Sequence, residues 1–250
     1  WQHRCEEAGF TYHSQDGAYW NEHIAYEFSA RQIDHLESVT QDLHERMLEA
    51  VEWIVARGEF APFRLSRPAI EEIVRSWRRG DASLYGRFDF SWDGHGEPQL
   101  LEYNADTPTS LIESAVVQWF WKETVHPGAD QFNAIHERLV AKWRELRDYL
   151  ADDHLYVAAV ADPQAEDLMT ASYMRETANE AGLVTIPLTM GEIGWDRDDQ
   201  VFRAPSGDRR RFGDPRRNNG GSQRPQRGFG EARRGNGERR EGHWRARGRA

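Results

Sequence analysis

Apolar positions recur roughly every 3.6 residues between Ser29 and Gly58, at Ile33, Leu36, Leu43, Met47, Val51 and Ile54. That spacing predicts a long amphipathic helix. Ser29 and Gln32 form a capping-box pair at its start, and Gly58 supplies the stop. A second helix is predicted from Ser66 to Gly80, with Pro68 in its first turn and Ile70, Ile73, Val74 and Trp77 as its apolar stripe. A third begins at Thr107-Pro108, with Ser110 and Glu113 as a cap pair. The run from Leu111 to Trp121 leaves it few polar positions and predicts burial nearly all round. A fourth spans Asp130 to Ala151, with Phe132, Ile135, Leu139, Trp143, Leu146 and Leu150 on one side.

Strand patterns stand between and after these helices. Tyr85 to Trp92 and Glu97 to Asn104 are rich in aromatic and aliphatic residues and flank Asp93-Gly94-His95-Gly96, which reads as a β-hairpin. His154 to Asp162 reads as a strand, Glu166 to Ala181 as a helix closed by Gly182, and Leu183 to Leu188 as a strand. Together they make a βαβ unit. The fold class expected is α/β (α+β): a helical scaffold around a hairpin, with a βαβ unit behind it. Ligands of such units bind past the carboxyl ends of the strands, where Asp162, Glu166 and Asp167 lie.

Composition divides the chain at about residue 202. The 250 residues carry a formal net charge of −10, but residues 201–250 hold 15 Arg against 5 acidic residues, so residues 1–200 carry −20. Residues 203–250 contain no Leu, Ile, Val or Met and cannot build a core. The expectation is one body, residues 1–202, and an Arg/Gly-rich, disordered tail, residues 203–250. Two readings of the tail are open: a nucleic-acid segment, with arginines for phosphate and Phe212, Phe229 and Trp244 for stacking, or an out-of-frame end. A single cysteine, Cys5, excludes an internal disulfide framework. No apolar run approaches a membrane span, so no membrane role and a cytoplasmic location are expected. The chain starts at Trp1 without methionine, which suggests a fragment. His13, His23, His35 and His44 lack metal-ligand spacing and read as surface or packing residues.

The hairpin carries the chemistry. A four-residue loop, 93–96, pairs Trp92 with Glu97, Arg87 with Glu102 and Asp89 with Leu100, which puts Arg87, Asp89, Glu102 and Asn104 on one face. Asp89, Glu102 and Asn104 offer only hard oxygen ligands, the kind Mg²⁺ takes before completing its shell with water and substrate phosphate. Arg87 beside them is a fixed fork for carboxylate or phosphate. The alternative is a solvated strand face on which Arg87 and Glu102 form a cross-strand ion pair.

Arg87-Phe88-Asp89 followed by Leu101-Glu102-Tyr103-Asn104-Ala105-Asp106-Thr107-Pro108-Thr109-Ser110 resembles the signature of the glutathionylspermidine synthase family, ATP-grasp acid–amine ligases. Gly9-Phe10, His13, Tyr19-Trp20 and Gly191 to Asp196 fit the same resemblance, which fades near Val201. It implies that Asp89, Glu102 and Asn104 are Mg²⁺ ligands, that Arg87 is the catalytic arginine at the reacting phosphate and, with Asp89, meets the nucleotide, and that Thr107 lies near a thiol-peptide substrate. It also implies that the acidic pair Glu166 and Asp167 helps hold the polyamine or the peptide, and that the βαβ unit is pre-ATP-grasp-like. ATP and Mg²⁺ are the implied cofactors, with a glutathione-like acid and a spermidine-like amine as substrates. The family's phosphate-gripping lysines and glycine-rich flap lie beyond the matched region. The two lysines here, Lys122 and Lys142, fall on predicted helices, so weak turnover by this chain is expected.

Overall fold

In the computed structural model the described residues are 1–15, 17, 19–106, 108–150, 154–161, 166–198 and 201–204, all within one unit, Trp1–Phe212. Thr107, Asp162 and the tail beyond Ala204 lie outside them. The architecture is a mixed α/β one of six α-helices and three two-stranded sheets among the described residues. No helix there is long and apolar enough to cross a membrane.

The chain opens with a short helix, α1 (Gln2–Glu7), which the mixed composition of its segment did not predict. The long helix α2 (Ala30–Arg57) then follows with the expected ends. Ser29 and Gln32 close a reciprocal capping box, and Gly58 takes a left-handed φ of 71° to end the helix. The predicted second helix is α3 (Arg67–Arg79), capped by Ser66 and stopped by Gly80. The hairpin strands are β1 (Arg87–Ser91) and β2 (Gln99–Asn104). After α4 (Gln118–Val125) and α5 (Ile135–Arg147) comes the predicted βαβ unit: β3 (His154–Ala159), α6 (Glu166–Glu180) and β4 (Val184–Thr189). β3 and β4 pair in parallel from His154↔Val184 to Ala159↔Thr189. A last antiparallel pair, β5 (Gly194–Asp196) and β6 (Val201–Arg203), is new to the structure, its strands too short to leave a periodic trace in sequence.

Four helical expectations need correction. The third helix does not begin at Thr107-Pro108. Ser110 adopts φ 62°, which interrupts the chain, and a π-helical turn at Glu113–Val117 leads into α4. Glu113 therefore does not cap Ser110; its carboxylate turns inward instead. Burial all round also holds only at the start, where Leu111, Ile112 and Val117 are buried, whereas Phe120 is 56% exposed. The fourth helix begins five residues later than predicted. Asn133 bonds both ways, its Oδ1 accepting from the Ile135 amide and its Nδ2 donating to the Ser114 carbonyl, and this fixes the start; Phe132 is left 67% exposed.

The core is not where the longest periodic pattern points. In α2 only Val55 is buried, and the stripe from Ile33 to Ile54 is half-buried. The main cluster gathers Cys5, Phe10, Tyr12, Leu111, Ile112, Ala115, Val117, Leu139 and Tyr173, with Phe10 fully enclosed. A second cluster joins α5 to the βαβ unit through Val140, Trp143, Ala178, Ala181 and Leu183. There the Trp143 indole donates to buried Thr177 at 3.0 Å, so neither polar group is left unpaired.

α2 holds the hairpin. Gln32 donates to the Gly94 carbonyl at 3.1 Å, His35 meets the Gly96 carbonyl at 3.1 Å, and the Phe28 and Trp92 rings stack. Behind β1, Gly86 sits so tightly that an added Cβ would lie 2.8 Å from the Tyr103 ring and 3.2 Å from the Asn104 carbonyl. Gly86→Ala must therefore push β2 away from β1. The expected cost is about 1–3 kcal/mol in urea unfolding; an unchanged midpoint would show that the hairpin relaxes freely.

Candidate functional site

The hairpin register differs from the one a four-residue loop would set. Ser91 pairs with Gln99, so the connection runs over residues 92–98, and Trp92 donates to the carbonyls of His95 and Gly96 instead of joining the ladder. Gly94 and Gly96, with φ of 87° and 62°, give the wider loop its left-handed turns. The pairing then skips one residue between Asp89 and Phe90: Phe90 faces Leu100 and Asp89 faces Glu102, leaving Leu101 as a bulge, 66% exposed. Arg87 faces Asn104. The correction brings the polar groups closer than expected, because direct cross-strand partners share a face. Asp89 and Glu102 are opposed, with Arg87 and Asn104 two pairs further along and so on the same face.

Arg87 organises this face. Its Nε and Nη2 donate to the two oxygens of Asp89 at 2.8 and 3.2 Å, while Nη1 donates to the Thr109 carbonyl at 2.8 Å. Nη2 also lies 3.7 Å from Glu102 Oε1, which accepts from Asn104 Nδ2 at 2.8 Å. The ion pair of the plain solvated-face reading is thus present, but the tighter bond is to Asp89. The hydrogen bonds from Arg87 hold the Asp89 carboxyl below its usual range, outweighing partial burial, and the Arg87 charge adds to them. Asp89 is about a third exposed and Glu102 more than half, so ligands can reach both. Among the described residues no three His, Cys, Asp or Glu side chains group as a metal site; the donor set here is two carboxylates and an amide.

A depressed Asp89 pKa gives stability that is present above the unfolded value, about 3.9, and lost as pH falls through the lower folded value. The expected result is a urea midpoint steady from pH 7 to 5 that drops below pH 4, with a smaller drop in Asp89→Asn. An equal drop in the variant would remove Asp89 from the acid response.

Other groups reach this face from later in the chain. Thr109 and Ser110 come shortly after β2, which ends at Asn104; Tyr85 donates to the Pro108 carbonyl at 2.6 Å and fixes that segment. Four residues after Thr109, Glu113 is 94% buried, and its Oε1 accepts from Tyr19 at 2.8 Å and Tyr12 at 3.2 Å. Burial, then these contacts, push the Tyr19 hydroxyl up to about 12 and that of Tyr12 further still. Glu166, in the first turn of α6, acts on both tyrosines, so α6 brings it toward this group; Asp167 lies beside it in the same turn. Thr107 and Asp162 are outside the described residues.

The anchoring carbonyl of Thr109 left no signal in sequence, since any residue supplies one. Nor did Tyr12, Tyr19 and Glu113, scattered over a hundred positions. The lysines do not join the site: Lys122 is buried against Glu123 and over the Trp119 ring, and Lys142 pairs with Glu145 on α5.

Comparison with known proteins bears on this geometry. Residues 1–211 match a family model described as glutathionylspermidine synthase preATP-grasp. A putative acid–amine ligase of Haemophilus influenzae is 36% identical over 200 residues, covering 78% of this chain and 51% of its own length. A trypanothione synthetase of Crithidia fasciculata is 26% identical over 149 residues, covering 56% of this chain and 22% of its own length. The chain spans about half the length of the first relative and about a fifth of the second.

Proposed function

The chain belongs to the glutathionylspermidine synthase pre-ATP-grasp family, and from that premise we propose that the shared face of β1 and β2 is the Mg²⁺–phosphate site of an ATP-dependent acid–amine ligase. One observation carries the reading: strand pairing sets Asp89 directly against Glu102, with Asn104 and Arg87 alongside. Two carboxyl groups forced together leave negative charge that a small hard cation would relieve, and every donor is oxygen. The residues present therefore fit Mg²⁺, held by Asp89, Glu102 and the Asn104 amide oxygen. Bound there, the ion would offset charge on the phosphoryl group of ATP as it is transferred.

The chain's own groups on this face would act alongside it. Arg87 extends the pH range over which Asp89 is ionised to more acid conditions. Arg87 is locked between Asp89 and the Thr109 carbonyl and needs little reorganisation to meet developing charge. In the reaction proposed, a carboxylate oxygen of the acid takes the γ-phosphoryl group and ADP leaves. The amine then attacks the acyl carbon, phosphate leaves, and the amine's proton passes to solvent. The net charge of −20 on residues 1–200 favours approach of a cationic, spermidine-like amine. Glu166 and Asp167 are proposed to contact the small-molecule substrates, and Thr107 the acid, a glutathione-like peptide.

Neither lysine approaches this face, so little phosphate release is expected from the 250-residue chain given ATP, Mg²⁺, glutathione and spermidine. Robust release would contradict that expectation. The metal reading is tested by Mg²⁺-induced thermal stabilisation, expected in the wild type and lost in Asp89→Ala. An equal Mg²⁺ response in both proteins would overturn it.

A further inference from the structure

Glu113 is a buried carboxylate whose second oxygen, Oε2, has no hydrogen-bond partner, and among the described residues no cation pairs with it. Such a group is costly to bury unless something compensates its charge. Its first oxygen accepts hydrogen bonds from the hydroxyls of both Tyr12 and Tyr19. Tyr12 is buried with it, but Tyr19 is 49% exposed and forms the outer wall. The phenolic proton of Tyr19 is committed to Glu113, which leaves the lone pairs of its oxygen to act as acceptors. The Ser110 hydroxyl already uses part of that capacity, and Tyr19 is close enough to Arg87 to act on it. Glu166 adds a second negative charge from α6. The positive charge of Arg87, which would repel a cation, is answered by Asp89 and Glu102.

An acceptor surface backed by uncompensated negative charge, edged with aromatic rings and set beside the phosphate-facing arginine, suits an N–H donor carrying positive charge. We propose that Tyr19 is a specificity-determining residue that receives an alkylammonium group of the amine substrate. Glu113 is the positioning residue behind it: it orients the hydroxyl and supplies charge that water does not screen. This rests on the acid–amine ligase reading above and adds to that reading a place for the amine.

The test is equilibrium binding of spermidine to the 250-residue chain, followed by calorimetry without nucleotide. Glu113→Gln keeps an oxygen for both tyrosines and removes the charge; Tyr19→Phe removes the phenolic acceptor and leaves Glu113 held by Tyr12. Glu37→Gln, on the exposed side of α2, controls for diffuse attraction to an acidic surface. Both site variants are expected to bind about tenfold more weakly or worse, with the control unchanged. Wild-type affinity in either folded site variant, an equal loss in the control, or no spermidine binding by the wild type would each overturn the proposal. If Glu113→Gln loses its far-ultraviolet dichroism, Tyr19→Phe alone decides. The Mg²⁺ response is recorded in the same samples. Its persistence in both variants and loss in Asp89→Asn separates the two sites, and its absence from the wild type would sink the metal reading, not this one.

Discussion

Phe10→Ala is expected to cost about 3–5 kcal/mol in urea unfolding, a larger loss than that of Gly86→Ala in the hairpin. Phe10 is fully enclosed, its ring edge-on to Tyr12 at 4.7 Å and near Trp20 and Tyr19, each at 5.9 Å. Removing it leaves a cavity that rigid aromatic neighbours cannot collapse to fill. The corresponding fall in melting temperature is roughly 6–20 °C for a chain of this size. Because Phe10 packs against both tyrosines that hold Glu113, spermidine binding is expected to weaken as well. A loss below about 1 kcal/mol would mean that the N-terminal aromatic cluster is not the centre of the core.

Arg87→Leu carries the largest functional effect. Arg87 is the cation set against both Asp89 and Glu102, and its fork is fixed on this face by the Thr109 carbonyl. Without it the two opposed carboxylates repel, and the Asp89 pKa climbs back toward its ordinary value. Tripolyphosphate, used as a probe with Mg²⁺ present, should bind about 10- to 100-fold more weakly, the value of losing charge-assisted hydrogen bonds. Arg87→Lys should recover only part of this, since an ammonium cannot span Asp89 and the Thr109 carbonyl as a planar fork does. The acid sensitivity below pH 4 should shrink in the same variant. Unchanged tripolyphosphate affinity would place the phosphate elsewhere.

What the sequence carried was whatever local chemistry writes plainly. Ser29 with Gln32 and Gly58 mark the ends of α2 because caps and left-handed stops are properties of single residues. Ser66 and Gly80 do the same for α3, and the βαβ unit was legible because a helix between two apolar runs has few alternatives. The shared face of Arg87, Asp89, Glu102 and Asn104 was also legible from alternation, although the register that creates it was not. That register depends on one extra residue, Leu101, whose trace is two successive leucines where one should face outward. The core is hidden from the sequence for a different reason: periodicity reports an amphipathic face but not what covers it. The stripe of α2 is only half-buried, whereas Phe10 and Tyr12, in a segment with no period, are enclosed by residues a hundred positions away. Glu113 was read as a cap on spacing alone; the left-handed turn at Ser110, which no local rule demanded of a serine, released it for the tyrosines.

The central claim, that strand pairing builds a divalent-ion site from Asp89, Glu102 and Asn104, is open to direct counting. Titrating Mn²⁺ into the chain while following free Mn²⁺ by electron paramagnetic resonance should reveal one bound ion that Mg²⁺ displaces, and none in Asp89→Asn or Glu102→Gln. Equal Mn²⁺ binding by the wild type and both variants would contradict the account.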